Sequence, residues 1–139
     1  MIRLSQVTEK DWREVCRLTV TDGKTQFVAY NSYSLAQACY EPDSKALSIY
    51  HHDELVGFAL VQKKEQEIWI VRFMIDRHCQ KRGYGRKALH QLCEIFSGES
   101  LLTSYVPENH VAAALYKGSG FIPTGAFVDG EIVMIRKPN

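Results

Sequence analysis

The residues best suited to chemistry in this chain form a short basic loop, residues 80–85, with the sequence Gln-Lys-Arg-Gly-Tyr-Gly. Gly83 and Gly85 permit backbone conformations and close approaches that other residues resist. Lys and Arg side chains stand on both sides of Gly83 and add positive charge. If a helix begins here, its free N–H groups and its dipole attract an anion, so the loop predicts phosphate binding.

The segments around this loop predict the elements that must position it. Glu67 to Asp76 is rich in β-branched and aromatic residues and reads as a buried strand. From Tyr84 to Phe96, apolar residues such as Ala88 and Leu92 recur at helical spacing. The order is therefore strand, glycine loop, helix, which places the loop at a helix N-terminus.

Two familiar phosphate loops do not fit these residues. A P-loop needs Gly-Lys followed by Ser or Thr, and this loop has no such hydroxyl. A dinucleotide fingerprint needs G-x-G-x-x-G in the first unit of a parallel sheet, whereas Gly85 is followed by Arg86-Lys87-Ala88 past the middle of the chain. The pattern that remains is [Q/R]-x-x-G-x-[G/A].

That pattern resembles the acetyl-CoA pyrophosphate loop of the GNAT family of N-acetyltransferases. A second segment, Asn109 to Phe121, is similar to another signature of the family, N-x-x-A-x-x-L-Y-x-x-x-G-F. It stands one predicted helix and one predicted strand downstream of the loop. The resemblance covers nearly the whole chain.

The resemblance implies one domain over residues 1–139 of the α/β class. Its sheet is central, twisted, mixed and mostly antiparallel, with about seven strands and helices on both faces. A chain of 139 residues suits a single core. The residue patterns predict strands at Ile2–Val7, Ala46–His51, Leu55–Gln62, Glu67–Asp76, Leu101–Val106, Thr124–Val128 and Ile132–Arg136, and helices from Thr8 to Leu18, within Thr25–Tyr40, and at Tyr84–Phe96 and Asn109–Lys117.

The resemblance also implies acetyl-CoA as the acetyl donor. Its pantetheine arm would lie along strand Glu67–Asp76, and the loop N–H groups would hold its pyrophosphate. Tyr116 matches a general acid near the thioester sulfur, although a core tyrosine would fit the same apolar helix. Asn109 matches a contact to the cofactor arm, and helix capping would select the same residue. The expected cofactor-binding residues are Phe73, Met74, Ile75, Gln80, Lys81, Arg82, Gly83, Tyr84, Gly85, Arg86, Asn109 and Tyr116.

The acceptor is expected to be a small primary amine, attacked directly in a ternary complex. Segments including Gln26–Ala29 and Arg72–Asp76 resemble bacterial spermine/spermidine acetyltransferases. A polycationic acceptor needs an acidic cleft. An aminoglycoside, amino acid or protein N-terminus, or a non-catalytic acetyl-CoA sensor, stays open, and the general base stays unassigned. The acidic candidates are Glu41, Asp43, Glu65, Glu67, Asp76 and Glu108.

Composition narrows the remaining classes. The net charge of +1 gives no overall electrostatic indication of nucleic-acid binding, and the apolar runs are too short to span a membrane. The four cysteines contain no C-x-x-C pair, which predicts free thiols and a cytoplasmic location. His51-His52 has no third ligand at suitable spacing, so no metal is expected. A homodimer, through the second helix region or the C-terminal strands, is a further expectation from the family.

Overall fold

The computed structural model describes residues 1–20 and 30–138 as one seven-stranded sheet with four α-helices in these ranges. A short 3-10 turn, Arg77–Cys79, follows the fourth strand. The predicted helix within Thr25–Tyr40 is present from Asn31 onward, and residues 25–29 lie outside the described residues. The strands are β1 Ile2–Gln6, β2 Ser44–His51, β3 Glu54–Lys64, β4 Glu67–Ile75, β5 Ser100–Tyr105, β6 Ile122–Val128 and β7 Glu131–Arg136, and the helices are α1 Trp12–Arg17, α2 Asn31–Tyr40, α3 Tyr84–Ile95 and α4 His110–Gly118.

The sheet runs in the order β1-β2-β3-β4-β5-β7-β6, and its neighbours are antiparallel except for the parallel pair β4–β5. Helices cover both faces. On one face, Val15 and the partly buried Leu35 pack with Phe58, Leu60 and Met74 of the sheet, so we call this the α1/α2 face. The opposite face carries α3 and α4. The predicted mixed sheet with helices on both faces is confirmed.

Strand β3 lies at the centre of the core and is buried on both faces from Val56 to Val61. Gly57 lies where β4 approaches most closely, because a Cβ there would collide with the Met74 carbonyl and the Ile75 side chain. Only glycine therefore fits this position without a shift of backbone. The contact fixes how closely β4 lies against β3. Strand β4 in turn carries the candidate active site.

The first helix begins later than its sequence suggests. The sequence predicts a start at Thr8, and Asp11, three residues on, accepts a hydrogen bond from the Thr8 N–H at 2.9 Å. The Thr8 hydroxyl, however, accepts from the Lys10 N–H, and the regular helix runs from Trp12 to Arg17. Asp11 is drawn inward because it also accepts from Ser48 and Tyr50 of β2 at 2.8 Å each. Tertiary contacts thus set this helix end.

The end of α4 also differs from prediction. The predicted helix ends at Lys117, but Gly118 remains helical and Gly120 takes the left-handed conformation, with φ +91. The Phe121 N–H donates to the Tyr116 carbonyl and the Gly120 N–H to the Lys117 carbonyl, which is a Schellman ending. The predicted strands Thr124–Val128 and Ile132–Arg136 form a hairpin, and its turn residues Asp129 and Gly130 both have positive φ, 51 and 79.

Candidate active site

Strands β4 and β5 separate halfway along their length. They pair only from Glu67 opposite Ser100 to Ile70 opposite Thr103. Beyond this point β4 continues with β3 as its partner, and β5 continues with β7. A register shift next to Val71 marks the place where β4 turns away. The result is a wedge between the two strands, which we call the gap.

The backbone of β4 offers hydrogen-bonding groups to this gap. The Asp76 N–H donates to the Val56 carbonyl of β3 at 2.8 Å. Because peptide groups alternate in direction along a strand, those of Met74 also point to β3, whereas those of Phe73 and Ile75 point into the gap. The Met74 side chain is buried on the α1/α2 face. Of the three predicted contacts on β4, Phe73 and Ile75 therefore face the gap and Met74 does not.

The basic loop closes one end of the gap. Lys81 and Gly83 both have positive φ, 66 and 80, and Gly83 is the N-cap of α3 without any side-chain cap of its own. Backbone turned in this way directs successive N–H groups to one side and forms a concave anion site. Gln80 secures the loop, since its side-chain amide donates to the Ile75 carbonyl at 3.0 Å and to the Val20 carbonyl at 3.3 Å.

The first turn of α3 brings three elements together. Gly85 lies against the end of β4 and against α4, because a Cβ there would lie 3.5 Å from an Ile75 side-chain carbon and 3.9 Å from one of Leu115. The Tyr84 ring is buried and stacks on His51 at 4.6 Å between centroids. The side chains of Arg82 and Arg86 are exposed. The loop, the end of β4 and the middle of α4 therefore meet at the gap.

A positively charged cavity of about 470 Å³ adjoins the outer side of α3. Arg86, Lys87, His90 and Arg136 are among its lining residues. Arg136 donates from Nε to the Ser119 carbonyl at 3.1 Å, while its buried Nη1 has no hydrogen-bond partner. The positive charge of the loop thus continues along α3, which suits a ligand with several phosphate groups.

Tyr116 lies beside the point where β4 and β5 separate. Its ring is buried between Tyr105 and Phe121, with centroids at 6.5 and 5.4 Å. Burial raises the pKa of Tyr116, although a hydrogen bond with the Thr103 side chain opposes the rise. Thr103 is the last residue of β5 that pairs with β4, and its hydroxyl donates to the Ile70 carbonyl. The phenol therefore stays protonated at the base of the gap.

Asn109 caps the helix that carries Tyr116. Its side-chain oxygen accepts a hydrogen bond from the Ala112 N–H at 3.1 Å, and the residue is the N-cap of α4. This is the capping use that the sequence left open beside a cofactor contact. The cap fixes the start of α4 and, through it, the position of Tyr116.

Two charged residues on the α1/α2 face flank the gap and were not named as site candidates. Arg72 pairs with Leu60, is half-buried, and has a buried Nε without a hydrogen-bond partner. Glu131, at the start of β7, accepts a hydrogen bond from the Ser104 hydroxyl at 2.9 Å. Alternation after the Asp129-Gly130 turn was a usable signal for the face of Glu131. The nearness of Glu131 to β5 had no signal in the sequence, because it depends on the order of the strands in the sheet.

Four of the six acidic candidates named from the sequence have other partners or lie away from the gap. Glu41 accepts from the Gln37 and Gln62 side chains between α2 and β3. Asp76 accepts from the backbone N–H groups of Thr19 and His78 and so holds the turn after β4. Glu65 and Glu67 lie at the end of β4 away from the gap. These carboxylates serve local structure or solvent and do not line the gap.

Other chemistries find little support within residues 1–20 and 30–138. No group of three or more His, Cys, Asp and Glu side chains in these ranges could hold a metal ion, and no helix there is long and apolar enough to cross a membrane. All four cysteines are free thiols. Cys79, next to the loop, is buried, and burial raises the pKa of its thiol, which disfavours a nucleophilic thiolate.

Comparisons with known proteins agree with this geometry. The chain is 27% identical to a probable spermine N(1)-acetyltransferase of Bacillus subtilis subsp. natto, over 98% of both chains. Its fold is similar to the ribosomal-protein-S18-alanine N-acetyltransferase of Escherichia coli, with TM-score 0.77, 18% identity and 99% and 94% of the two chains covered. It is also similar to the PaiA N-acetyltransferase of Thermoplasma acidophilum in complex with coenzyme A, with TM-score 0.74, 15% identity and 99% of both chains covered.

The sequence profile of the Acetyltransferase (GNAT) family matches residues 10–121, a span that includes the gap, the basic loop and Tyr116. The resemblance drawn from the two motifs is thereby confirmed, and with it the expectation of an acyl-transferring enzyme. The chain belongs to the Acetyltransferase (GNAT) family.

Proposed function

We propose that this protein transfers the acetyl group of acetyl-CoA to a primary amine of a polyamine such as spermidine or spermine. The observation that carries the proposal is the gap between β4 and β5, which opens onto the uncapped N-terminus of α3. Full-length similarity to spermine acetyltransferases supports the acceptor. Four free thiols fit a reducing, cytoplasmic location.

The donor site follows from the directions of backbone groups. Acetyl-CoA combines an amide-containing arm with a pyrophosphate. Phe73 presents its N–H and carbonyl to the gap, and Ile75 presents its N–H, since Gln80 occupies the Ile75 carbonyl. The arm would add to β4 there as an extra strand. The N–H groups from Lys81 to Arg86 would hold the pyrophosphate, and the cationic cavity along α3 would receive the remaining phosphate. In this arrangement the peptide groups of Met74 pair with β3 and do not contact the donor.

The chemistry needs few protein groups. A neutral amine attacks the thioester carbonyl, the new N–C bond forms, the C–S bond breaks, and the departing thiolate takes a proton. Tyr116 is our proposed proton donor, because its phenol is protonated at neutral pH and lies at the base of the gap. The proton lost by the amine goes to water or to a side chain, and the general base stays unassigned.

A second acceptor class is favoured by Arg72. A half-buried guanidinium with an unpartnered Nε on the α1/α2 face suits an acceptor that bears a carboxylate. An amino acid or a peptide would supply both this group and an amine. The net charge of +1 favours neither acceptor class.

The deciding experiment measures thiol release from acetyl-CoA with a panel of amines: spermidine, spermine, putrescine, an aminoglycoside, amino acids and short peptides. Preferential turnover of spermidine or spermine would support the proposal. Preferential turnover of a carboxylate-bearing amine would replace it with the second class. Silence across the panel, with coenzyme A still raising the thermal unfolding midpoint, would point to a non-catalytic acetyl-CoA sensor.

A dimer is a further part of the proposal. Strand β6 lies at the edge of the sheet and exposes Ile122, Phe127 and Val128. An exposed edge strand with apolar side chains fits a second copy of the chain. Light scattering of the purified protein would give the mass directly, and a monomer across the micromolar range would refute this part alone.

A further inference from the structure

The α1/α2 face of the sheet, beside the gap, contains a carboxylate whose position is fixed by a neighbour. Glu131 is half-buried, and the hydroxyl of Ser104 donates to its Oε1 at 2.9 Å. No Lys, Arg or His within the described parts of the chain lies at ion-pair distance from it. The carboxyl group is therefore held by a neutral hydroxyl and has no ion-pair partner among the described residues.

The strand register places this carboxylate beside the point where β4 and β5 separate. Ser104 is the first residue of β5 beyond the paired stretch that ends at Thr103. It lies opposite Val133 of β7, and Glu131 is its diagonal neighbour on the same face. Tyr105 and Ile132, one position along each strand, point to the opposite face and pack in the core there. Glu131 thus shares the α1/α2 face of the sheet.

The other side of the gap carries the opposite charge on the same face. Arg72 lies two residues beyond Ile70, where pairing of β4 with β5 ends. Its guanidinium repels an ammonium, and the carboxylate of Glu131 attracts one. The two residues therefore set up a field across the gap that directs positive charge toward β7.

A polyamine needs this kind of asymmetry. The nitrogen that attacks must be neutral and close to the thioester, while the other nitrogens remain protonated at neutral pH. The proposed proton donor Tyr116 lies beside Thr103, and Glu131 is held by Ser104, the next residue of β5. An ammonium at Glu131 would thus lie near the reacting nitrogen without occupying its place.

We propose that Glu131, held by Ser104, binds the non-reacting ammonium of the acceptor and so selects amines with two or more positive charges. This inference rests on the proposed acetylation of polyamines. It assigns Glu131 a role in acceptor specificity and assigns it no part in binding the acetyl donor.

The test compares Glu131→Gln with the wild-type protein on spermidine and on butylamine, at saturating acetyl-CoA. Glutamine keeps an oxygen for the Ser104 hydroxyl and removes only the charge. We expect the KM for spermidine to rise about tenfold or more. The KM values for butylamine and for acetyl-CoA should stay within about twofold. Glu131→Asp should recover part of the loss, and Ser104→Ala should weaken spermidine binding in the same direction.

Glu65→Gln is the matched control, because it removes the same charge from the turn between β3 and β4, away from the gap. Its kinetic constants should equal those of the wild-type protein. Spermidine titrated calorimetrically into the coenzyme A complex gives a readout without turnover. If Glu131→Gln is poorly folded, Ser104→Ala and Glu131→Asp carry the same comparison.

The outcomes separate the two proposals. A wild-type protein that acetylates other amines and not polyamines would overturn the proposed function and, with it, this inference. A wild-type protein that acetylates spermidine, with Glu131→Gln equally efficient, would overturn this inference alone. Equal losses on spermidine and butylamine would make Glu131 a structural residue and would also refute it.

Discussion

At the scale of single residues, Tyr116 is a buried phenol that is protonated at neutral pH. Its ring is packed between two aromatic neighbours, and its pKa is raised above the ordinary value of 10.0. A thiol titrates near 8.5. The phenol holds its proton more tightly than a thiol does. Donation to the departing thiolate therefore requires direct contact between the two groups at the gap. The same burial that stabilises the core thus also keeps the proton in place.

Replacing Tyr116 with Phe removes the proton donor and preserves the ring. We expect kcat to fall about a hundredfold, the usual contribution of general acid catalysis, with the Kd for coenzyme A unchanged. Steady-state kinetics and calorimetry give the two values. Tyr40→Phe removes a hydroxyl from an exposed site at the end of α2 and serves as control. A kcat within twofold of the wild-type value would leave Tyr116 as a packing residue.

The lowered pKa of Asp11 predicts that the stability of the fold decreases at acid pH. Burial pushes its pKa up, but hydrogen bonds from Thr8, Tyr50 and Ser48 together outweigh burial and lower it. A carboxyl group with a lowered pKa in the folded state contributes stability above its unfolded pKa, near 3.9, and loses it as pH falls through the folded pKa.

The change Asp11→Asn should therefore cost about 1–3 kcal/mol in the free energy of unfolding at pH 7. The difference from the wild-type protein should shrink as the pH falls below about 4, since the wild-type carboxylate is then neutralised. Urea titrations from pH 3 to 8 measure both curves. A difference that is independent of pH would show that packing, and not ionisation, accounts for the loss.

At the scale of elements, the loop before α3 depends on one conformation. Gly83 has φ +80 and caps the helix, whereas Gly85 has no positive φ and makes only ordinary contacts with Ile75 and Leu115. The two glycines therefore look alike in sequence and differ in their tolerance of a side chain.

Gly83→Ala should weaken coenzyme A binding about fivefold or more, because the left-handed conformation costs alanine about 1–2 kcal/mol and a relaxed loop misdirects its N–H groups. Gly85→Ala, the matched control, should change the Kd less than twofold. Calorimetric titration of both variants decides the point. Equal effects would mean that backbone conformation at Gly83 is not what holds the phosphates.

The contact between β3 and β4 is the second element-scale constraint. Gly57→Ala would place a methyl group against the Met74 carbonyl, which cannot move without shifting β4. We expect a loss of about 3 kcal/mol or more in unfolding free energy and a displaced gap. Gly98→Ala, with open space around its Cβ, should be nearly neutral. Thermal unfolding compares the two, and similar midpoints would contradict the prediction.

At the scale of the whole molecule, the sheet consists of two parts joined over four residue pairs, Glu67–Ile70 with Ser100–Thr103. One part is β1 to β4 and the other is β5, β7 and β6. The helices α3 and α4 contribute to the core cluster that connects the parts. A donor lying in the gap would form an additional bridge between them.

Amide exchange should reveal that bridge at single-residue resolution. The N–H groups of Phe73 and Ile75 face the gap, so their exchange should slow when coenzyme A binds. The N–H of Met74 is already paired with β3 and should change much less. Exchange measured by NMR with and without coenzyme A tests the alternation. Slowing at Met74 with no change at Phe73 and Ile75 would show that the arm binds elsewhere.

The sequence by itself determined the elements and the donor chemistry. Period-two and helical patterns predicted the order of strands and helices along the chain, and the two motifs predicted the family, the loop at α3 and the tyrosine of α4. These features depend on residues close together in the chain, where local backbone preferences and the spacing of side chains are visible. The predicted elements differ from the structure at their ends: β2, β3 and β6 are longer than predicted, and the helix ends at Asp11 and Gly120 respond to distant or conformational constraints.

Only the tertiary structure decided which groups face the gap. The orientation of Met74 away from the gap depends on its register with β3, and the placement of Glu131 beside Ser104 depends on β7 lying between β5 and β6. The named acidic candidates were selected by charge, yet hydrogen bonds with residues far along the chain occupy Glu41 and Asp76. Such facts arise from contacts between distant segments, and no local pattern in the chain encodes them.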